Sequence, residues 1–237
     1  MASTYKTLGI LGGMGPAATV DLYEKIIRHT DADCDQAHLH VYIDSNSSIP
    51  DRTAAILSGT KAPLPALVDS AKKLEAMGAQ VLLMACNTAH YFYDDILGHV
   101  NIPFLHMMEE TASALASMDV HTAALLATDG VVQSGLYAKA LGKAGIAMCL
   151  PDTAGQRAVM SLIYDCVKAG KDHWDLAPMQ ELANQLLAAG AEVLILGCTE
   201  LPLAFSRFAD LAGYPTIDPT ALLAKAAVRF AGAPVRE

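Results

Sequence analysis

An eleven-residue segment occurs twice in this chain. Ala76-Met77-Gly78-Ala79-Gln80-Val81-Leu82-Leu83-Met84-Ala85-Cys86 aligns without gaps to Ala188-Ala189-Gly190-Ala191-Glu192-Val193-Leu194-Ile195-Leu196-Gly197-Cys198. Ala, Gly, Ala, Val, Leu and Cys coincide at a constant offset of 112 positions, and Pro103 and Pro215 keep the same offset. Each copy ends in a short, wholly apolar run. Such a run fits a strand buried on both faces, as in a parallel sheet. The polar tips, Cys86-Asn87-Thr88 and Cys198-Thr199-Glu200, then fall at the carboxyl edges of the strands, where open α/β sheets bind ligands. A duplication of this kind predicts two similar lobes whose equivalent strand ends could face one another across a cleft.

The rest of the pattern agrees. A strand over 7–11 runs into the glycine turn Gly12-Gly13-Met14-Gly15, and Pro16 suits the first position of a helix reaching about His29. A strand over 41–43, a helix over 64–77 stopped by Gly78, and a helix from Asn87 or Thr88 through Tyr91 and Ile96 follow. A short strand over 102–105 precedes a helix from about Glu109. The cycle restarts with a strand over 122–127, helices around 133–144, 153–169 and 179–189, the Cys198 strand, and 214–217 before a last helix. Short strands alternating with helices indicate parallel sheets. The expected fold class is therefore α/β, with two pseudosymmetric lobes, each a mainly parallel sheet flanked by helices, and the active site in the cleft between them. The expected division is 1–101 plus 214–237 for the first lobe and 102–213 for the second.

Hydrophobic residues make up 53% of the 237, yet no apolar run approaches the roughly 18 residues of a membrane span. The N-terminus moves straight toward a strand, without the basic and apolar regions of a secretory leader. A cytoplasmic protein that does not engage membranes is expected. The formal net charge of −9 argues against nucleic-acid binding, since no basic block is present to neutralise phosphates. An anionic ligand would need a few local cations, for which Arg52 and Lys168 are candidates. Five cysteines, an odd number with no C-x-x-C pair, argue against a disulfide framework and a structural zinc site. Cys34, Cys149 and Cys166 are expected to be ordinary small packing residues.

Cys86 and Cys198 differ from those three because they occupy matched positions. Each follows a strand and precedes a helix start, where partial positive charge and free N–H groups favour thiolate. One thiolate can remove a proton from carbon while a thiol on the opposite face returns one, which inverts a stereocentre. A disulfide-exchange pair would place its thiols close in sequence and leaves Asn87-Thr88 and Thr199-Glu200 without a role. Gly13-Met14-Gly15-Pro16-Ala17-Ala18 also fits the dinucleotide pattern G-x-G-x-x-[GA], with Asp44 near its acidic position; a dinucleotide-binding module is thus an alternative, but it does not explain the repeated cysteine. Cys86 and His90 could share a helix face as metal ligands, but no second pair completes a site, so no metal is expected.

Three signatures, Gly9-Ile10-Leu11-Gly12-Gly13-Met14-Gly15-Pro16, Ala85-Cys86-Asn87-Thr88-Ala89-His90 and Leu196-Gly197-Cys198-Thr199-Glu200-Leu201-Pro202, resemble the aspartate/glutamate racemase superfamily, its aspartate branch above all. The resemblance implies racemisation of an acidic amino acid without a cofactor, aspartate first and glutamate also. No lysine sits in a pyridoxal phosphate context, in keeping with that. By analogy Cys198 would deprotonate the L-enantiomer and Cys86 the D-enantiomer. Asn87, Thr88 and Thr199 would hold the α-carboxylate, Glu200 would tune or relay protons beside Cys198, and Met14 and Thr128 would line the pocket. Arg52 and Lys168 match the branch's site for the side-chain carboxylate. Arg grips a carboxylate through two parallel hydrogen bonds, whereas Lys acts as a point charge. The resemblance also implies a homodimer. Relatives acting on a hydantoin or a maleate-type diacid share the paired thiols and are the alternative reading. Val131 departs from the pattern, since many relatives carry Thr there.

Overall fold

The computed structural model describes residues 5–236. Two wholly parallel sheets form its centre. The first contains β1 (Leu8–Gly12), β2 (Val41–Ser45) and β3 (Val81–Met84) in the order β2-β1-β3. The second contains β4 (Thr122–Leu126), β5 (Ala147–Cys149), β6 (Val193–Leu196) and β7 (Thr216–Ile217) in the order β5-β4-β6-β7. β1, β3 and β6 are buried along their whole length, as their continuous apolar sequences require.

The duplication extends to individual hydrogen bonds. Leu82 N–H donates to Pro103 O at 2.8 Å, and Leu194 N–H to Pro215 O at 2.9 Å. Gln80 N–H donates to Thr7 O, and Glu192 N–H to Thr122 O. The preceding helices, Leu64–Ala76 and Ala177–Ala188, are each followed closely by a left-handed glycine, Gly78 at φ 100° and Gly190 at φ 101°. Only a residue without Cβ reaches that conformation cheaply.

The pairing corrects the expected lobe boundaries at two places. Phe104 bridges in parallel to Leu82 of the first sheet, although 102–105 was expected in the second lobe. β7 pairs with β6 in the second sheet, although 214–217 was expected in the first. The reason is local: each short segment follows its own repeat and completes that sheet's edge. Exchange between halves begins only with the next helices. Pro219–Ala231 packs on Pro16–His29, and Met107–Ser117 packs on both Pro219–Ala231 and Leu136–Lys143. One apolar core consequently runs through Ile10 and Leu83 of the first sheet, Leu125 and Ile195 of the second, and Met107 and Leu223 of the exchanged helices.

Several expected helices are broken. The segment after Cys86 is a 3₁₀ turn, Thr88–Phe92, followed by the short helix Tyr93–Leu97. Residues 129–143 form two helices split by Gly135 at φ 66°. The stretch expected over 153–169 is an α-helix, Thr153–Ser161, that passes into a π-helical turn, Leu162–Val167, with Lys168 N–H bonded to Ile163 O. Such turns often mark functional positions. Among the described residues no helix is long and apolar enough to cross a membrane.

Candidate active site

Met14, Arg52, Cys86, Asn87, Thr88, Thr128, Lys168, Cys198, Thr199 and Glu200 line a single cleft between the sheets. Every site residue expected from the sequence is thus brought to one place. The carboxyl ends of β3 and β6 deliver one cysteine each. Asp51, Thr53 and Tyr164, none of them a candidate from the sequence, complete the wall. A wider groove lined by Asp152, Gln156 and Arg157 opens next to the cleft and shares Tyr164 with it, but it contains neither cysteine.

The halves meet tightly here. Thr88 and Thr128 hydroxyls lie 3.1 Å apart, and the Tyr164 hydroxyl is 3.4 Å from Asp51. Gly130 permits the approach, because a Cβ there would sit 3.0 Å from Thr53 Cα and 3.2 Å from the Thr88 methyl. The glycine turn serves packing in a similar way. A Cβ on Gly13 would fall 2.3 Å from the backbone of Asn46, and its N–H donates to the Thr19 hydroxyl at 2.9 Å. Gly15, the second glycine of the dinucleotide pattern and the one a pyrophosphate would approach, faces the Glu200 carboxylate instead, 3.5 Å from where its Cβ would lie.

Glu200, buried to 4% exposure, is the hub of the polar network. Its carboxylate accepts from Lys168 Nζ at 2.6 Å, from Cys198 Sγ at 3.0 Å and from the Thr199 hydroxyl at 3.3 Å. Burial pushes the Cys198 thiol well above its ordinary pKa, the Glu200 charge and hydrogen bond push it further, and Lys168 opposes them. This corrects the expectation that a helix N-terminus would favour thiolate at Cys198. The first residue of that helix, Glu200–Arg207, is itself an anion facing the sulfur. Burial alone would lower the Lys168 ammonium, but the charge and hydrogen bond of Glu200 outweigh it and hold the pKa above the usual lysine value, with both cysteines adding to the effect. Lys168 is therefore held in an ion pair with Glu200.

Two buried donors in the cleft have no partner: Arg52 Nε and Asn87 Nδ2. The rest of the Arg52 guanidinium is fixed by the carbonyls of Ile49, Pro50 and Met14 at 3.0, 2.9 and 3.4 Å. An orphaned buried donor is costly unless a ligand completes it.

His90 lies behind Cys86. Its Nδ1 is 2.8 Å from Cys86 O, and Met107 N–H donates to Nε2 at 3.2 Å. With Nε2 accepting, Nδ1 carries the proton and donates to the carbonyl of Cys86. Burial, helped by His106, lowers its pKa from 6.5 to about 3. Between those values the unfolded chain binds a proton that the folded one refuses. Stability should therefore fall as pH drops from 6.5 toward 3, with His90 contributing up to about 1.4 kcal/mol per pH unit. Melting temperatures from pH 7.5 to 4 should decline less steeply for His90→Asn; equal slopes would exclude His90 as a source.

Parallel sheets joined by exchanged helices, with a thiol at the tip of each equivalent strand, define an α/β enzyme whose cleft is built by duplication. The comparisons with known proteins specify the class. The sequence profile of the Asp/Glu/Hydantoin racemase family matches residues 11–227. The chain is 30% identical over 227 residues to the broad specificity amino-acid racemase RacX of Bacillus subtilis, covering 93% of this chain and 96% of that one. It superposes on the aspartate racemase of Picrophilus torridus with TM-score 0.82 and 33% identity, covering 98% and 96% of the two chains. The glutamate racemase of Francisella tularensis, solved with D-glutamate, shares the fold at TM-score 0.65 and 20% identity, covering 95% and 80%. The chain belongs to the Asp/Glu/Hydantoin racemase family and is an amino-acid racemase.

Proposed function

We propose that the protein racemises an acidic amino acid, aspartate first and glutamate also, by a cofactor-independent two-base reaction between Cys86 and Cys198. The observation that carries this reading is the pairing of two cysteines with two orphaned donors, Arg52 Nε and Asn87 Nδ2, in one cleft. Two buried donors suit two carboxylates. Asn87, with the hydroxyls of Thr88 and Thr199, takes the α-carboxylate, and Arg52 takes the distal one. Met14 and Thr128 shape the walls.

In this scheme Cys198 removes the α-proton of the L-enantiomer while Cys86 protonates the opposite face; the reverse reaction starts from Cys86 and the D-enantiomer. As the C–H bond breaks, negative charge spreads from the α-carbon into the α-carboxylate. Donors fixed there stabilise the transition state more than the ground state. Glu200 accepts the Cys198 proton and so lets that sulfur become thiolate, while Lys168 balances the carboxylate's charge. Lys168 then serves the proton relay first and the substrate second, which differs from the role implied by the resemblance.

The test is deuterium incorporation. Protein stripped of small molecules, in deuterated water, should place deuterium on the α-carbon of aspartate while converting it to the racemate. Absence of exchange with both aspartate and glutamate would overturn the reading. Arg52→Ala should raise KM for aspartate by about 10- to 100-fold, as the loss of a charge-assisted pair implies, with kcat changed less; an unchanged KM would place the distal carboxylate elsewhere.

A broader substrate range is the second reading. RacX is described as broad in specificity, and here Lys168 is engaged by Glu200, leaving Arg52 to select for an acidic side chain. A panel of neutral amino acids exchanging as fast as aspartate would favour it. The proposal also retains the expected cytoplasmic homodimer, and two lobes with 102–105 moved to the first and 214–217 to the second; light scattering should return twice the chain mass of 25.0 kDa.

A further inference from the structure

Tyr137 does not line the cleft, yet it is hydrogen-bonded to a residue that does. It is 1% exposed, on the helix Leu136–Lys143, and its hydroxyl donates to Asn87 Oδ1 at 2.6 Å. The other end of the same amide, Nδ2, is buried without a partner and Asn87 lines the cleft. The two ends of an asparagine amide are nearly identical in shape and opposite in hydrogen bonding. Something must decide which end faces the ligand. We propose that Tyr137 is a positioning residue: its hydroxyl fixes Asn87 Oδ1 away from the cleft, so that Nδ2 is presented as a donor to the substrate's α-carboxylate.

The hydroxyl of Thr111, whose own proton goes to Met107 O at 2.8 Å, also offers its lone pairs to the phenol, but the short contact of the Tyr137 hydroxyl is the one to Asn87 Oδ1. Burial raises the Tyr137 pKa, which keeps the hydroxyl protonated and donating. If the amide turned over, Nδ2 would meet Tyr137 and Oδ1 would point lone pairs at a carboxylate. The contact also joins the two halves, since Asn87 follows β3 of the first sheet and Tyr137 sits fifty positions later, after β4. The orientation is therefore set only when the halves are assembled.

The inference rests on the racemase reading for its catalytic meaning, and the test separates the two. In ¹⁵N-labelled free protein the Asn87 side-chain amide, assigned by its loss in Asn87→Ala, should shift in Tyr137→Phe. An unmoved resonance overturns the proposal regardless of activity. In deuterated water Tyr137→Phe should lose about tenfold in kcat/KM for aspartate, equivalent to about 1.4 kcal/mol, through both a higher KM and a lower kcat. In the Asn87→Ala background the same change should cost nothing further, whereas a merely structural role would subtract equally in both backgrounds. Additive losses, or a Tyr137→Phe variant at the wild-type rate, also overturn it. A shifted amide in Tyr137→Phe, together with a wild-type protein inert toward aspartate, would sustain the orientation and refute the aspartate reading instead.

Discussion

Cys86→Ser and Cys198→Ser should each reduce racemisation by about 10³-fold or more, as expected when a positioned acid–base group is lost. The two variants must lose kcat/KM equally in both directions. Enantiomers in water have equal free energies, so the equilibrium constant is one and the two kcat/KM values cannot differ in any variant. What distinguishes the cysteines is exchange without inversion. With Cys86 replaced, Cys198 can still take the α-proton of L-aspartate and, after mixing with solvent, return a deuteron to the same face. Cys86→Ser should therefore deuterate L-aspartate and leave it L, while Cys198→Ser should deuterate D-aspartate and leave it D. Both cysteines are 5% exposed, so the exchange will be slow, and chiral chromatography with mass detection is the suitable measurement. A variant that still racemises at the wild-type rate sinks the two-base scheme. Exchange of the same enantiomer in both variants sinks the assignment of faces.

The features that lead to this reading were unevenly legible in the sequence. The repeat around Cys86 and Cys198 gave away the two parallel sheets, because buried strands and the glycines that end the preceding helices leave a local pattern. It located one cysteine at each tip for the same reason. The sequence could not show that Phe104 and β7 close the edges of their own sheets, since segments of two or three residues carry no periodicity. Nor could it show the π-helical turn at Leu162–Val167. That turn brings Tyr164 and Lys168 to the cleft, and its hydrogen-bond register differs from that of an α-helix without any compositional marker. Tyr137 was invisible for a different reason. A single tyrosine in an amphipathic helix reads as core, and it is core; only the position of its hydroxyl relative to Asn87 gives it a second meaning. The thiolate expected at Cys198 was wrong because sequence reasoning counted the helix end and not the burial or the adjacent Glu200 carboxylate.

Glu200→Gln tests that last point and should produce an effect of opposite sign on two observables. The variant keeps the shape of the side chain and removes its charge. The Glu200 charge, which raises the Cys198 pKa, is lost, the glutamine oxygen can still accept from the thiol, and Lys168, which lowers the pKa, is released. The alkaline-going limb of the rate profile that reports the Cys198 thiol should move to lower pH, although a coupled site yields a macroscopic value rather than one sulfur's own. More thiolate would by itself speed removal of the L-proton. If Glu200 only tuned the sulfur, kcat at neutral pH would rise. As the group that carries the Cys198 proton away and back, its loss should instead lower kcat by about 10²-fold, so a limb displaced to lower pH together with a slower reaction identifies a relay. Loss of stability complicates the variant, because Lys168, with its side chain 26% exposed, is left without its partner at a cost of about 2 kcal/mol. Glu200→Gln combined with Lys168→Met removes both charges and should recover much of that stability, while racemisation stays slow. Recovery of rate along with stability would mean that Glu200 acts on Cys198 only by holding the fold around it.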